Sequence, residues 1–240
     1  MLEMFETEFM QRAWLAGLIV AVICPLIGSF LVLRRQSMIG DGLGHIAFAG
    51  VAGGALMGWQ PVLSAAAVTV LGALVIEWVR TRLAAFSEMI LAIFFYSGIG
   101  LAVVFTSMNR MGGFNLSSIL FGSLMTISSS DLWIVAGLGI FACIFVVLFY
   151  RPLQYLTFDE TSARVAGLPA DRLNMWLAVL TALTVALSMR IVGLLLVSAM
   201  MVIPVACALQ DGTQLCRDDL RWYCLWARYR FRRTDLILLC

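Results

Sequence analysis

"AWLAGLIVAVICPLIGSFLVLRR", residues 13–35, runs through apolar and small residues without a charge until it meets Arg34 and Arg35. A helix of about 20 mainly apolar residues crosses the hydrocarbon core of a bilayer, so 13–33 reads as a membrane span closed by a basic pair. The same criterion selects 44–59, 62–79, 87–106, 130–150, 173–189 and 191–210. It predicts about seven spans, hence an all-α, polytopic helical bundle. Composition agrees. The chain is 62% hydrophobic and 12% charged, against about 25% charged in an ordinary soluble domain. Between the fourth and fifth spans, "FNLSSILFGSLMTISS" (114–129) is too short and polar to cross, and reads as a re-entrant or interfacial helix.

Charge placement orients the bundle. Arg34, Arg35, Arg80, Arg82, Arg151, Arg164 and Arg172 fall on one side, while the opposite loops carry "GWQP" (58–61) and only Arg110. Basic residues favour the cytoplasmic side, which puts the N-terminus outside and the 151–172 loop inside. All 16 basic residues are arginine. Without lysine the chain lacks the GK[ST] element of a phosphate-binding loop, and its net charge of +2 without a basic stripe argues against nucleic acid. The six cysteines show no CxxC spacing and imply no disulfide framework.

Two stretches carry chemistry. In "SMIGDGLGHIAFAGVAGG" (37–54), Asp41 precedes the chain's only histidine, His45, by four residues. Positions i and i+4 share a helix face, so carboxylate and imidazole can point to one place. If the helix runs inward from Arg35, His45 lies roughly 15 Å deep at about 1.5 Å per residue. Ionisable groups at such depth face a bundle interior or a water-filled cavity. Imidazole with carboxylate suits a borderline divalent cation, Zn²⁺, Mn²⁺ or Fe²⁺. The competing reading is an Asp–His hydrogen bond that only fixes packing. Two ligands are too few for a closed site, but a transport site must release its ion, and a second copy of the chain can supply another pair.

The second stretch is "RPLQYLTFDETSARVAGLPADRL", 151–173. It predicts a short amphipathic helix capped near Thr157 or Asp159 and ended at Gly167-Leu168-Pro169, presenting Glu160, Ala163 and Arg164. Either it is a solvated connector or it docks into a partner's groove. Pro25 and Pro204 lie inside spans, where they free a carbonyl and allow a kink. Gly50 and Gly193 belong to small-residue stretches that let helices approach closely. Glu77 and Glu88 are expected in the headgroup region.

Four segments together resemble one family. "DGLGHIAFAGVAGG" is similar to the D-x-L-S-H-A-x-x-x-G-V-A signature of bacterial metal-ion ABC importer permeases. "SILFGSLMTISSSDLW", "FDETSARVAGLP" and "IVGLLLVSAMMVIPVACA" resemble that family's following segments, in order, over 13–209. Within the family the likeness leans to high-affinity zinc uptake. The resemblance implies an inner-membrane permease, working as a homodimer with two copies of a separate ATPase and a periplasmic metal-binding protein. It carries no permanently bound cofactor and no catalytic residues. It implies that Asp41 and His45 line the ion path, and that Asp159, Glu160, Ala163, Arg164 and Gly167 belong to the coupling helix that docks on the ATPase.

Two rival classes are weaker. A single histidine does not suit an intramembrane metalloprotease, which needs about three metal ligands, and an ion-driven carrier needs no docking loop. The chain departs from the family after Gln210. Its 211–240 tail has six arginines and three cysteines and no long apolar run, where the family's eighth span is expected. The expected domains are therefore a 1–210 permease and a basic 211–240 tail.

Overall fold

The computed structural model describes residues 8–83, 86–108, 120–122 and 129–210. The ordered elements among them are helices: α1 (Glu8–Leu33), α2 (Ile39–Leu56), α3 (Pro61–Arg82), α4 (Ser87–Met108), α5 (Ser129–Leu148), α6 (Tyr150–Phe158), α7 (Glu160–Val165), α8 (Ala170–Val192) and α9 (Leu194–Gln210). The 211–240 tail and most of the 114–129 segment lie outside the described residues.

Five helices, α1 to α4 and α8, are long and apolar enough to cross a membrane. A sixth span arises if α5 and α6, bent by 72° at their junction, are taken together. Each of the seven segments expected to span falls on one of these helices. The seventh segment exists as α9, an apolar helix of 17 residues, short of the usual length of about 20. The apolar run that reads as spans 173–189 and 191–210 is divided at Gly193, three residues beyond the expected break at 190. Pro25 lies inside α1 and Pro204 inside α9, as expected.

The bundle is organised around α2, which lies against α3, α4 and α8, while α1 packs on α5, α6 and α8. Lipid is as apolar as leucine, so helices associate through close contact of small residues rather than through hydrophobicity. Gly50 illustrates this: a Cβ there would stand 3.0 Å from the Ala65 Cα and the Val68 Cβ. Gly28 likewise faces the Met201 backbone directly. A mutual backbone meeting joins Gly122 (φ +77°) to Gly193 (φ +92°). A Cβ on Gly122 would come within 2.7 Å of the Gly193 nitrogen and the Ile191 carbonyl oxygen, and one on Gly193 would strike Phe121 and Gly122. Both the left-handed backbone and the backbone-to-backbone contact require glycine there.

Between α1 and α2 the chain reverses in a few residues. The Arg35 N–H donates to the Val32 carbonyl (3.0 Å) and the Gln36 N–H to the Leu31 carbonyl (2.8 Å). This is a Schellman turn with Arg35, φ +57°, in the left-handed position usually given to glycine. The chain divides into two compact units between Val202 and Ile203. Of the second, the described part is the end of α9, Ile203–Gln210, which carries Pro204.

Candidate functional site

Helix α2 begins at Ile39, five residues before the expected start at 44, because Arg34–Met38 form the turn. His45 is therefore six residues into the helix, about 9 Å along its axis, and not the 15 Å expected from a start at Arg35. Asp41 sits in the first turn, where the helix dipole favours an anion. From Ile39 to Gly50 every residue is buried except Asp41 and His45, which are half-buried. The pair thus forms the single accessible stripe on this part of the helix, as the i, i+4 spacing requires.

Helix α4 shapes the other side of the histidine. The Phe95 ring meets His45 edge-on, centroids 4.9 Å apart at 87°. Gly98 lets α4 press on the α2 backbone: a Cβ there would be 3.1 Å from the His45 carbonyl carbon and 3.3 Å from its Cβ. The imidazole is held by its ring while its face position stays accessible. Among the described residues no hydrogen bond joins Asp41 to His45. Nor do the described residues contain a cluster of three or more His, Cys, Asp or Glu able to hold a metal. Asp41 and His45 are two ligands from one chain: enough to bind an ion weakly, not to cage it.

At the arginine-rich end of the bundle stands the short helix α7. Asp159 caps it, its Oδ1 accepting from the Thr161 N–H (2.9 Å) and the Ser162 N–H (3.1 Å). These bonds stabilise the ionised form, the Ser162 hydroxyl most of all, and hold the Asp159 carboxyl below the usual carboxylate range. The helix ends in a second Schellman turn. The Leu168 N–H reaches the Ala163 carbonyl (3.1 Å) and the Gly167 N–H the Arg164 carbonyl (3.1 Å), with Gly167 at φ +79°. Cap and stop both fall at residues the sequence marks for them. Ala163 is fully buried against Leu156, Ala170 and Leu173.

The rest of the loop differs from expectation. A further helix, α6, precedes α7, turning in Leu153 and Leu156 and leaving Tyr155 and Phe158 exposed; Val165 of α7 is also 86% exposed. The i, i+3 spacing of Leu153 and Leu156 is the signal for it in the sequence.

Charges fasten α7 in place. Glu160 Oε1 accepts from Arg164 Nη2 at 2.9 Å and from Asn174 Nδ2 at 3.4 Å. Its Oε2 lies 3.6 Å from Arg34 Nη2. Burial alone would raise the Glu160 carboxyl, but the Arg164 hydrogen bond and the charges of Arg34, Arg80 and Arg164 outweigh it and hold it below its ordinary value. Arg164 also reaches Asp171 at 2.7 Å. Glu77 is buried, its two oxygens gripped by Arg80 at 3.0 and 2.7 Å. A bidentate guanidinium partner makes that burial tolerable.

A bundle of membrane-length helices, an accessible acid–imidazole pair on one of them and a capped, charge-fastened helix between two others define a membrane permease. The ABC 3 transport family pattern matches residues 6–218. The "probable metal transport system membrane protein" of Treponema pallidum is 37% identical, over 86% of this chain and 77% of its own. The manganese transport system membrane protein MntC of Halalkalibacterium halodurans is 32% identical, covering 86% and 70%. The high-affinity zinc uptake system membrane protein ZnuB of Haemophilus influenzae is also 32% identical, covering 85% and 78%. PsaBC from Streptococcus pneumoniae, solved with a Fab, aligns over 87% of this chain and 77% of its own, with TM-score 0.73 and 26% identity. The chain belongs to the ABC 3 transport family: it is a multi-pass permease subunit of a metal-ion ABC importer, and not itself catalytic.

Proposed function

We propose that the chain carries Zn²⁺ from periplasm to cytoplasm across the inner membrane, with residues 1–210 as the permease and 211–240 as an appended basic tail. The observation behind this reading is the accessible Asp41–His45 stripe, where a neutral imidazole supplies the ligand a borderline cation prefers. Paired across a two-fold axis, two copies would offer two imidazoles and two carboxylates, a set of four that zinc favours. A periplasmic metal-binding protein delivers the ion. A separate ATPase docks on α7 and on the exposed Tyr155, Phe158 and Val165, and its movement opens the stripe to one side and then the other.

The manganese reading is favoured by relatives named for that metal, MntC of Halalkalibacterium halodurans among them; carboxylate and water suit Mn²⁺ as imidazole suits Zn²⁺. Proteoliposomes holding the permease, ATPase and binding protein separate the two. ATP-dependent uptake of radioactive zinc that survives excess manganese supports the zinc assignment. Zinc uptake abolished by manganese transfers it to manganese, and uptake of neither removes the importer mechanism for this chain.

A further inference from the structure

The charge cluster at the base of the bundle contains a residue that no docking surface explains. Arg34 follows the last residue of α1, and its side chain is 6% exposed although it carries a full charge. Its Nη2 donates to the Asn174 Oδ1 at 2.7 Å and faces the Glu160 Oε2 at 3.6 Å. Asn174 closes the triangle through its own contact to Glu160. Three elements therefore meet at one guanidinium: the end of α1, the first residue of α7 and the second turn of α8.

Geometry makes Glu160 the acid that ties Arg34 to α7. Arg80 repels Arg34, and the charges of Glu77 and Glu160 both offset that, Glu77 first; but Glu77 holds Arg80 with both oxygens and stays on α3, whereas Glu160 belongs to α7. Glu160 is the acid paired with Arg34. A buried cation whose acid is withdrawn is left uncompensated at a cost of several kcal/mol. A shift of α7 therefore pulls on Arg34 through Glu160.

On its other side Arg34 adjoins a stiff connection to the ion-binding stripe. The Schellman turn fixes Arg35 and the buried Gln36, and the Gln36 carbonyl accepts from the Ile39 N–H at 3.0 Å, where α2 begins. Asp41 lies in that first turn. Six residues, 35–40, separate the partner of α7 from the first ion ligand, with Arg35, Gln36, Met38 and Ile39 among them in backbone hydrogen bonds. The second fastening of α7 contrasts with this. Arg164 and Asp171 are both exposed, and they tie α7 only to the helix that follows it in sequence.

We propose that Arg34 is the positioning residue that links the coupling helix to the ion site, delivering movement of α7 through the Arg34–Gln36 turn to Asp41 and His45. The proposal rests on the importer mechanism above and adds the route by which ATP hydrolysis reaches the ion. It needs no contact between Arg34 and either the ATPase or the metal.

The test measures ions moved per ATP hydrolysed by the permease reconstituted with its ATPase and binding protein. Arg34→Gln keeps a hydrogen bond to Asn174 but gives up the charge that tracks Glu160. Hydrolysis is expected to stay within about twofold of wild type while uptake per ATP falls about tenfold, a loss within the usual range of coupling between sites. Arg34→Lys restores the charge without the fork and is expected to recover part of the ratio. Asp171→Asn, which cuts only the exposed fastening, is expected to leave the ratio unchanged. An Arg34→Gln permease with the wild-type ratio overturns the proposal, and so does a proportional fall in hydrolysis and uptake. If Arg34→Gln does not assemble, the ratio of Arg34→Lys decides by the same criterion. The ratio is read with whichever of Zn²⁺ and Mn²⁺ the wild type carries. An error in the metal shows in the wild-type protein itself and leaves the role of Arg34 to be decided by the ratio.

Discussion

The Asp41–His45 stripe and the α7 cluster are both built from ionisable side chains, and they treat them in opposite ways. On α2 the two groups share a face, keep partial exposure and form no hydrogen bond with each other. Around α7 the charges of Arg34, Glu160, Arg164 and Asp171 are each met by a partner at 2.7–3.6 Å. On the proposed function, the contrast separates a place that binds and releases from a place that holds its shape. Weak, incomplete coordination keeps a cargo ion exchangeable, whereas a part that transmits movement is useful only if it does not give way.

Breaking the rigid side should cost stability. The largest effect is expected at Gly193, where Gly193→Val sets a branched side chain into the backbone of Phe121 and Gly122 at a positive φ. Detergent-extracted variant should yield no monodisperse protein on size-exclusion chromatography; a normal peak would show that the Gly122–Gly193 crossing tolerates a Cβ. Next comes Glu77→Gln, which leaves Arg80 without its acid in a buried setting. A loss of about 3 kcal/mol is expected, read as a lower denaturation midpoint, and a midpoint within error of wild type would mean that water reaches the pair.

Acid sharpens the comparison further. Because the folded state holds Glu160 below its ordinary 4.5, its contribution is fully present above that value. It is lost as pH falls through the lower folded value. Amide protection of residues 163–168 should therefore be flat from neutral pH to about 5 and decline below. In Glu160→Gln it should already be reduced at pH 7, and equal protection in both proteins would remove the carboxylate from the account. The smallest effect is expected at Arg35, where Arg35→Gly relieves a left-handed arginine and should stabilise by up to about 1 kcal/mol. A destabilised variant would mean that the arginine side chain outweighs the backbone strain.

The parts legible in sequence are those with a local code. The i, i+4 pair, the Asp159 cap and the Gly167 stop depend on spacings within a few residues, and the structure places each where the spacing implies. The differences have a common origin in the apolar spans. A span facing lipid on one side and helices on the other is apolar all round, so its periodicity does not tell which face is inside or where the helix turns. Hence hydropathy starts α2 five residues late and puts the break between the last two helices at 190 rather than at Gly193. It does not show that Glu77 is buried against Arg80, which looks in sequence like a flanking charge. Arg34 looks like half of a basic pair, and only the fold brings Asn174 and Glu160 to it from more than a hundred residues away.

The central claim is that the α2 stripe carries the ion while the α7 cluster carries the drive. Simultaneous measurement of ATP hydrolysis and radioactive zinc uptake by His45→Ala in proteoliposomes tests it most directly. The account predicts hydrolysis close to wild type with uptake reduced to the ATP-free background. Uptake equal to wild type would contradict it, because the ion would then be crossing without its imidazole.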